Sequence, residues 1–342
     1  MSAAPPTVLI TGASGFVGSH LTDTFRARGW AVRAQVRASS SRRWLTRPDG
    51  APWPGVTLID GDITDPASLP GAVRGADVVI HCAGLIEHRD VPRLERINHG
   101  GSVHVAQAVR EAIAAGEGPH RVVYISSLAV SGASLDGRPR EEADPPRPLN
   151  DYGRTKLAGE RVCLDLRDVC QAVAIRPPAI YGPRDVAFLA MVRLLRLHLR
   201  PVTGVMGPHR RISIAHVDDV CEAVWLAATH PRADGAYFVS DTVLHPFEQV
   251  TATIADALGT WTLPVPLVPS VVRAAWQVSA AWQQVSAREG LVSREQAEQL
   301  LAGEWIVSTA RLEKELGFVP QHTLATGWRE TIDWYRQEGW IR

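Results

Sequence analysis

The sequence predicts a doubly wound α/β fold, in which helices cover both faces of a parallel sheet, followed by a smaller and mostly helical lobe. Three observations lead to this prediction. Short runs rich in valine and isoleucine alternate with helical patterns, a glycine-rich turn joins the first run to the first helix, and the alternation ends after Gly182. A repeat of strand, helix and strand is typical of parallel sheets, because each connection must cross over one face of the sheet.

Six apolar runs in the first half of the chain predict strands. They span residues 7–11, 31–36, 56–60, 77–82, 121–126 and 172–176. Beyond the alternating part, residues 188–199 predict a helix, 211–228 a strand that continues into a helix, and 235–241 a further strand.

Composition and charge exclude several classes of protein. The 342 residues suffice for about two domains, and the 36 basic residues balance the 36 acidic ones, so no net field attracts nucleic acid or an anionic membrane. The four cysteines and the histidines His81, His99 and His104 show no metal-ligand spacing, which predicts reduced thiols in a cytoplasmic protein and no metal. The N-terminus lacks a signal-peptide pattern. The apolar stretch 263–282 contains three prolines and Arg273, so we predict no membrane span.

The segment TGASGFVG joins the first predicted strand to the first helix. Glycines in such a turn let the backbone approach a pyrophosphate, whose charge the amides at the helix N-terminus stabilise. A tight turn can also need glycine for packing alone, but the order strand, turn, helix and strand favours a dinucleotide site in a Rossmann-type domain. The residues expected at the cofactor here are Gly12, Ser14, Gly15, Phe16, Val17 and Gly18.

We expect the chain to form two parts, one that binds the dinucleotide and one that binds the substrate. We predict an NAD(P)-binding domain over residues 1–183, to which 212–245 return, and a substrate-binding lobe over 184–211 and 246–342. The wall of the substrate pocket is expected within residues 184–210 and 246–305, where the helical run 188–199 indicates a partly apolar surface.

The segment DYGRTKLAGER places Tyr152 and Lys156 four residues apart, so a helix would present both on one face. An ammonium group beside a phenol lowers the pKa of the phenol, which would make Tyr152 a proton donor or acceptor near neutral pH. Upstream, Ser126 and Ser127 follow the fifth predicted strand, at the edge where open α/β sheets bind ligands. A hydroxyl there can bind a substrate oxygen that gains negative charge, although serines at a strand end are also common turn residues.

Taken together, these segments resemble the extended short-chain dehydrogenase/reductase superfamily and, within it, the NAD-dependent epimerase/dehydratase family. The pattern is most similar to dihydroflavonol-reductase-like and 3-beta-hydroxysteroid-dehydrogenase-like members. The similarity runs nearly end to end in family order, through TGASGFVG, GDITD (61–65), HCAG (81–84), RINHGGS (96–102), YISS, YGRTK, RPPAIYGP (176–183), HVDDV (216–220), LEKELGFVP and TIDWYRQEGW.

The resemblance implies catalytic roles for four residues. Tyr152 would be the acid/base, and Lys156 would tune its pKa and bind the nicotinamide ribose. Ser127, which lies five residues before Gly132 as in family members, would bind the substrate oxygen. Asn98 matches the family asparagine near the cofactor. The cofactor path would further include Asp62 and Ile63 beside the adenine, Ala83 and Gly84 along the diphosphate and ribose, and Pro177, Ala179 and Ile180.

The same resemblance bears on the choice of cofactor. Val36 stands where NAD-preferring members carry the acid that binds the ribose hydroxyls, and Arg37 follows it. A carboxylate would repel a 2′-phosphate, whereas a guanidinium attracts one. We therefore predict NADP(H) as the preferred cofactor, with Ser39, Ser40, Arg42 and Arg43 as further donors. NAD(H) is the alternative if these side chains form only a basic surface loop.

Two departures from the members that bind nucleotide sugars bear on the reaction. Ala179 stands where those members often carry an asparagine, and Ile212 where they often carry a diphosphate-binding arginine, with Arg210 and Arg211 just upstream. We therefore predict hydride transfer between NADPH and a small-molecule ketone or aldehyde, with oxidation of the alcohol in the reverse direction. A nucleotide-sugar epimerase or dehydratase with tightly bound NAD is one alternative. A non-catalytic NADP-binding sensor or scaffold is another, although such proteins often lose the tyrosine or the lysine.

The resemblance also implies a homodimer. In many relatives, helices that correspond to residues 91–114 and 150–167 pair across the interface. The interaction partners predicted for this chain are thus a small-molecule substrate and a second copy, without nucleic acid.

Overall fold

Seven parallel strands form the centre of the structure, a computed structural model that describes residues 4–86, 90–203, 210–266 and 303–341. The strands within these ranges are β1 Thr7–Thr11, β2 Ala31–Val36, β3 Val56–Asp60, β4 Val78–His81, β5 Arg121–Ile125, β6 Gln171–Arg176, β7 Ala179–Tyr181, β8 Leu199–Val202, β9 Arg211–Ile212, β10 Ile214–His216, β11 Gly235–Phe238, β12 His245–Pro246 and β13 Leu263–Pro266. The central sheet has the order β3-β2-β1-β4-β5-β6-β11. All of its neighbouring pairs are parallel, with Thr7 opposite Ala31 and Thr11 opposite His81.

Ten α-helices lie within the described ranges. They are α1 Phe16–Ala27, α2 Pro70–Val73, α3 Val91–Glu95, α4 Gly101–Ala114, α5 Asp151–Leu164, α6 Leu189–Arg196, α7 Val217–Thr229, α8 Phe247–Leu258, α9 Ala310–Leu316 and α10 Leu324–Gln337. Short 3₁₀ turns span Pro66–Ser68, Leu128–Val130 and Asp165–Asp168, and a π-helical turn, Arg96–Gly100, joins α3 to α4.

The alternation of side chains along β1 explains why helices cover both faces of the sheet. Val8 and Ile10 belong to a core formed with α1, α7 and α9, whereas Leu9 belongs to a second core formed with α2 and α4 on the opposite face. Because successive residues of a strand point to opposite faces, one fully apolar strand supplies both cores. The predicted doubly wound fold is confirmed.

A third core lies apart from the central sheet. Tyr181, Ile214, Ile254 and Trp328 bring together β7, β10, α8 and α10, and the rings of Tyr181 and Trp328 stack with centroids 4.5 Å apart. Two-stranded pairings of β10 with β7, β12 with β9 and β13 with β8 accompany this core.

Each predicted strand is present to within a few residues, whereas the short strands β7, β8, β12 and β13 were not predicted. The predicted helix 188–199 is shorter in the structure, because the chain turns at His198, with φ of 62°, and continues as β8. Most of the apolar stretch 263–282 and part of the expected pocket wall lie outside the described residues. Among the helices that are described, none is both long and apolar enough to cross a bilayer.

Candidate active site

The carboxyl ends of the parallel strands meet at one edge of the sheet, and the predicted site residues follow those ends. In the order of the sheet, Asp62 and Ile63 follow β3, Arg37 follows β2, Gly12 to Gly18 follow β1, Ala83 and Gly84 follow β4, Ser127 follows β5 and Pro177 follows β6. Since neighbouring strands are about 4.8 Å apart, the line from β3 to β5 is about 19 Å long. An extended dinucleotide would meet the residues in the same order.

The glycine turn after β1 has the shape that a pyrophosphate site needs. Gly12 has φ of 69°, and a Cβ there would lie 2.7 Å from Cα of Ala83, while a Cβ on Gly18 would lie 2.2 Å from the Gly12 carbonyl oxygen. Gly15 is the exposed N-cap of α1 and carries no side chain over the helix end, whose first amides have no partner within a helix. The residues therefore fit a bound phosphate group, with Ser14, Phe16 and Val17 half-buried around the opening.

Tyr152 and Ser127 are brought together by the close approach of two backbone segments. The side chain of Asn150 accepts a hydrogen bond from the Gly153 amide at 2.8 Å, which starts α5 one residue before Tyr152. A Cβ on Gly153 would lie 2.5 Å from the carbonyl oxygen of Ala129, in the 3₁₀ turn that follows Ser127. Ser127 is close enough to Tyr152 for its side chain to act on the pKa of the tyrosine hydroxyl through a hydrogen bond.

Burial raises the pKa of Tyr152, and the hydrogen bond with Ser127 offsets part of that rise. The expectation that Lys156 lowers this pKa is wrong for the structure as it stands. The Lys156 ammonium donates to the Ile125 carbonyl oxygen at 2.6 Å and lies 4.1 Å from the centre of the Tyr124 ring. It therefore interacts with these two groups instead of with the Tyr152 hydroxyl. Tyr152 is therefore held in its protonated form at neutral pH.

Lys156 itself is only 5% exposed, and burial lowers its pKa to about 8, although the neighbouring Cys82, Cys163 and Glu160 act in the opposite direction. A Cβ on Gly84 would lie 3.7 Å from the ammonium nitrogen, so this lysine reaches the turn after β4. The predicted catalytic lysine and the predicted ribose path are thus adjacent.

Asn98 lies in the π-helical turn between α3 and α4 and is 2% exposed. Its side-chain oxygen accepts from the Leu85 amide at 2.7 Å, and its side-chain nitrogen donates to the Leu85 carbonyl at 2.9 Å and to Thr155 Oγ1 at 3.1 Å. Asn98 therefore fixes the backbone just after Gly84 and ties it to α5.

A chain of buried hydrogen bonds under this site was not found from the sequence. The Ala83 amide donates to Thr11 Oγ1 at 3.2 Å, and the Thr11 hydroxyl lies 2.8 Å from His81 Nδ1. His81 Nε2 lies 3.1 Å from Ser102 Oγ, which donates to the Asn98 carbonyl at 2.7 Å. Because burial, and secondarily Lys156, lowers the pKa of His81 to about 3, its ring stays neutral and can accept at one nitrogen and donate at the other.

The adenosine end of the site is open by comparison. Arg37 is exposed and, across the residues that the structure describes, its guanidinium forms no hydrogen bond or ion pair. Arg42 donates to Asp60 at 2.7 Å in an exposed ion pair, and Arg43 pairs with Glu338, away from Arg37. Arg42 and Arg43 are therefore already paired, unlike Arg37.

The side chains of Asp62 and Ile63, which are predicted to lie beside the adenine, are held by contacts within the protein. The Asp62 side chain accepts from the amide and hydroxyl of Thr64 at 2.9 and 2.8 Å. Ile63 is 6% exposed, and a Cβ on Gly101 would lie 2.4 Å from its side chain, so the Ile63 side chain packs into the core. Only the backbone of Ile63 remains to border a cofactor.

On the other side of the site, Pro177 is buried and its carbonyl accepts from the Leu128 amide at 2.8 Å, while Ala179 is exposed and Ile180 half-buried in β7. Arg211 is engaged with the Glu304 carboxylate, through Nε at 2.8 Å and Nη2 at 2.6 Å, and with the Gly137 carbonyl at 2.7 Å. Arg211 is thus not available as an offset diphosphate ligand.

The three histidines considered for a metal have separate partners. His99 bonds Glu95 at 2.6 Å and His104 bonds the Ile63 carbonyl at 2.8 Å, while His81 belongs to the chain described above. A different group, His216, His322 and Glu330, places ligand-type atoms within 4.8 Å of one another. The two imidazoles stack with centroids 3.9 Å apart, and His322 bonds Asp219 at 3.3 Å, which joins the start of α10 to α7.

Comparison with known proteins gives matches over nearly the whole chain. The model of the family described as NAD dependent epimerase/dehydratase matches residues 8–239. A ceramide reductase of Caulobacter vibrioides is 29% identical over 336 residues, with 98% of this chain and 96% of that protein covered. A UDP-glucose 4-epimerase of Vibrio cholerae is 26% identical over 347 residues, with 97% and 96% covered.

A 3 beta-hydroxysteroid dehydrogenase/Delta 5-->4-isomerase of Mycobacterium tuberculosis is 28% identical over 358 residues, with 96% of this chain and 90% of that protein covered. Among solved structures, MoeE5 in complex with UDP-glucuronic acid and NAD is 27% identical. The match covers 97% of this chain and 99% of that one, with a TM-score of 0.72. The relatives thus include oxidoreductases and an epimerase, and the solved relative binds NAD.

Proposed function

Because the chain belongs to the NAD dependent epimerase/dehydratase family, as its resemblance indicated, we propose that it is an NADP(H)-dependent oxidoreductase that reduces a ketone or aldehyde, or oxidises the alcohol. The observation that carries the proposal is the pair of neighbouring Tyr152 and Ser127 side chains at the sheet edge, with the buried Lys156 bonded to the Ile125 carbonyl at the end of β5. Donors so placed can hold a carbonyl oxygen that gains negative charge.

The proposed reduction follows from these side chains. When bound, the reduced nicotinamide supplies the hydride. Ser127 and Tyr152 hold the substrate oxygen, and Tyr152 donates its proton to that oxygen as the alcohol forms. The raised pKa of Tyr152 keeps this proton in place at neutral pH until the oxygen takes it. Lys156, with Asn98 holding the adjacent backbone, binds the ribose.

The preference for NADP(H) rests on the adenosine end. Val36 ends β2 without a carboxylate, and the Arg37 guanidinium beside it is exposed and unpaired among the described residues. A 2′-phosphate placed there gains a charge-assisted hydrogen bond without breaking an existing ion pair. The solved relative contains NAD, so the proposed NADP(H) preference would distinguish this chain from that protein.

The proposed substrate class is an apolar carbonyl compound. Ala179 offers no amide to a nucleotide sugar, Ile212 no guanidinium, and Arg211 is held by Glu304. The ceramide reductase and the hydroxysteroid dehydrogenase bear names that refer to lipids, which agrees with the side chains at the described positions 179, 211 and 212, where none is free to bind a diphosphate.

The test is to follow nicotinamide absorbance with NADPH and with NADH against a panel of ketones, aldehydes, sterols and nucleotide sugars. We expect turnover of an apolar carbonyl compound with NADPH. Turnover of UDP-glucose without added cofactor, by protein that retains NAD after purification, would instead establish the epimerase alternative, to which the epimerase relative points.

We also propose that the protein is a homodimer through α4 and α5. Val91 and Val103, near and within the expected interface, are 40% and 39% exposed, which leaves apolar side chains for a second copy to cover. Sedimentation equilibrium should give twice the mass of one chain, and a single-chain mass would reject the dimer.

A further inference from the structure

A buried ion pair lies directly behind the proposed catalytic residues. Glu160 is 2% exposed and Arg176 7% exposed. The guanidinium donates to both carboxylate oxygens, from Nε at 2.9 Å and from Nη2 at 2.5 Å. Ser126, 3% exposed, donates a third hydrogen bond to the same carboxylate at 2.5 Å.

This carboxylate joins the three elements that carry the proposed site. Glu160 lies on α5, one turn after Lys156 and two turns after Tyr152. Ser126 lies between Ile125, whose carbonyl accepts from Lys156, and Ser127. Arg176 is the last residue of β6, at the same edge of the sheet. A displacement of the carboxylate would therefore move α5 relative to the end of β5.

The chemistry of the pair favours a positioning role over a purely stabilising one. Replacing a buried ion pair by apolar residues of similar volume is often neutral or stabilising, so stability alone gives little reason for two buried charges. The bidentate geometry, in contrast, fixes both direction and distance between the two elements. The negative charge also lies near Lys156 and favours its ammonium form.

We propose that Glu160 is a positioning residue for the proposed reaction, which holds Tyr152 and Lys156 on α5 in register with Ser127 through its bonds to Arg176 and Ser126. This inference rests on the proposed function for its catalytic consequence, but the action of Glu160 on Lys156 can be tested without any substrate.

The substrate-free test uses the scarcity of lysine in this chain. Lys156 and Lys314 are the only lysines, so protein labelled at lysine with ¹³Cε gives two lysine signals, which Lys314→Arg assigns. The groups that face Lys156 are Cys82, Cys163, Glu160, His81 and the Tyr124 ring. In Glu160→Gln the titration midpoint of the Lys156 signal should move to lower pH, because the favourable negative charge is gone. An unchanged midpoint and line shape would overturn the proposal.

The catalytic test compares two variants and a control on the carbonyl compound that the wild type turns over fastest. In Glu160→Gln and in Arg176→Lys we expect kcat to fall by about ten- to a hundredfold, since displaced catalytic groups lose that much rate. KM should change by less than about threefold, because substrate binding is not the interaction removed. The matched control is Glu222→Gln, which removes a surface ion pair with Arg28 away from α4 and α5 and should leave kcat unchanged.

A triple variant separates positioning from stability. Ser126→Ala/Glu160→Leu/Arg176→Met removes the whole buried polar group and leaves no unpaired charge, so it should fold even if Glu160→Gln does not. Recovery of thermal stability with kcat still low supports the proposal, and recovery of both would make the pair merely structural. If the wild type reduces no carbonyl compound, the proposed function fails, while the Lys156 titration still shows whether Glu160 acts on Lys156.

Discussion

The nicotinamide end and the adenosine end of the proposed cofactor path differ in how firmly their side chains are held. At the nicotinamide end, Asn98, Lys156 and His81 are each at most 5% exposed and hydrogen-bonded to neighbouring elements. At the adenosine end, Arg37 is exposed, and within the described part of the chain the Arg42 guanidinium bonds only the exposed Asp60.

This difference indicates which properties a substitution at each end of the path would change. A buried polar group that loses its partner costs its full desolvation, so substitutions at the nicotinamide end act on fold and reaction together. An exposed ion pair contributes less than about 1 kcal/mol to stability. Cofactor preference at the adenosine end can therefore change without much effect on the fold.

The largest expected effect is at the nicotinamide end. Tyr152→Phe removes the proposed proton donor, so kcat should fall by about 10²- to 10⁴-fold. The NADPH dissociation constant and the melting temperature should stay close to those of the wild type. The matched control is Tyr237→Phe. Tyr237 lies on the edge strand β11, and the substitution removes its hydrogen bond to Glu315 at 2.7 Å. Retention of activity in Tyr152→Phe would remove the proposed chemistry and favour a non-catalytic cofactor-binding protein.

The second effect is a pH dependence from Lys156. Its pKa of about 8 lies below the ordinary lysine value, so the ammonium form is complete well below pH 8 and is lost as pH rises through that value. We expect kcat/KM to fall above pH 8, by up to about tenfold per pH unit. In Lys156→Arg the guanidinium stays charged at these pH values. The kcat/KM of this variant should therefore not fall above pH 8.

A smaller effect is expected at the adenosine end. Arg37→Ala should raise the KM for NADPH by about ten- to a hundredfold, the size of one charge-assisted hydrogen bond. The KM for NADH and the melting temperature should not change, because this guanidinium forms no hydrogen bond or ion pair with the other described residues. Arg47→Ala removes another exposed arginine, paired with Asp49 at 3.2 Å, and serves as the control. An unchanged KM for NADPH in Arg37→Ala would mean that this basic loop does not bind the cofactor.

The smallest effect should have the opposite sign. Asp60→Asn frees Arg42 and removes a carboxylate from the same end of the site, so the KM for NADPH should fall by about two- to threefold, as expected for one exposed charge. A rise in this KM would mean that the Arg42–Asp60 pair, rather than Arg42 alone, shapes the site.

The sequence was sufficient to predict the sheet and the line of residues at its edge. Both follow from local signals, since apolar runs give the strands and parallel strands bring their carboxyl ends together. The direction of the Tyr152 pKa shift was predicted wrongly, because helical spacing says that Lys156 shares a face with Tyr152 but not that its ammonium turns to Ile125. Such a choice depends on tertiary contacts.

Other parts of the site depend on close contacts that no local pattern encodes. A glycine inside a helix costs about 1 kcal/mol relative to alanine, so Gly159 in α5 reads as a weakness of that helix. In the structure, a Cβ there would lie 2.6 Å from the Asn98 carbonyl oxygen and 2.6 Å from the Tyr124 hydroxyl, so only glycine lets α5 pack here. His216, His322 and Glu330 likewise meet only because α10 returns to α7.

The direction in which Asn98 points depends on the number of residues in the π-helical turn that contains it. The Gly101 amide reaches back to the Arg96 carbonyl, five residues earlier, instead of the four of an α-helix. Deleting one residue between 96 and 100 would restore a continuous α-helix and rotate everything before the deletion by about 100° relative to α4. The asparagine would then face another direction with its chemistry intact. Chains that align here with a gap of one residue should therefore hold the loop after β4 by different means.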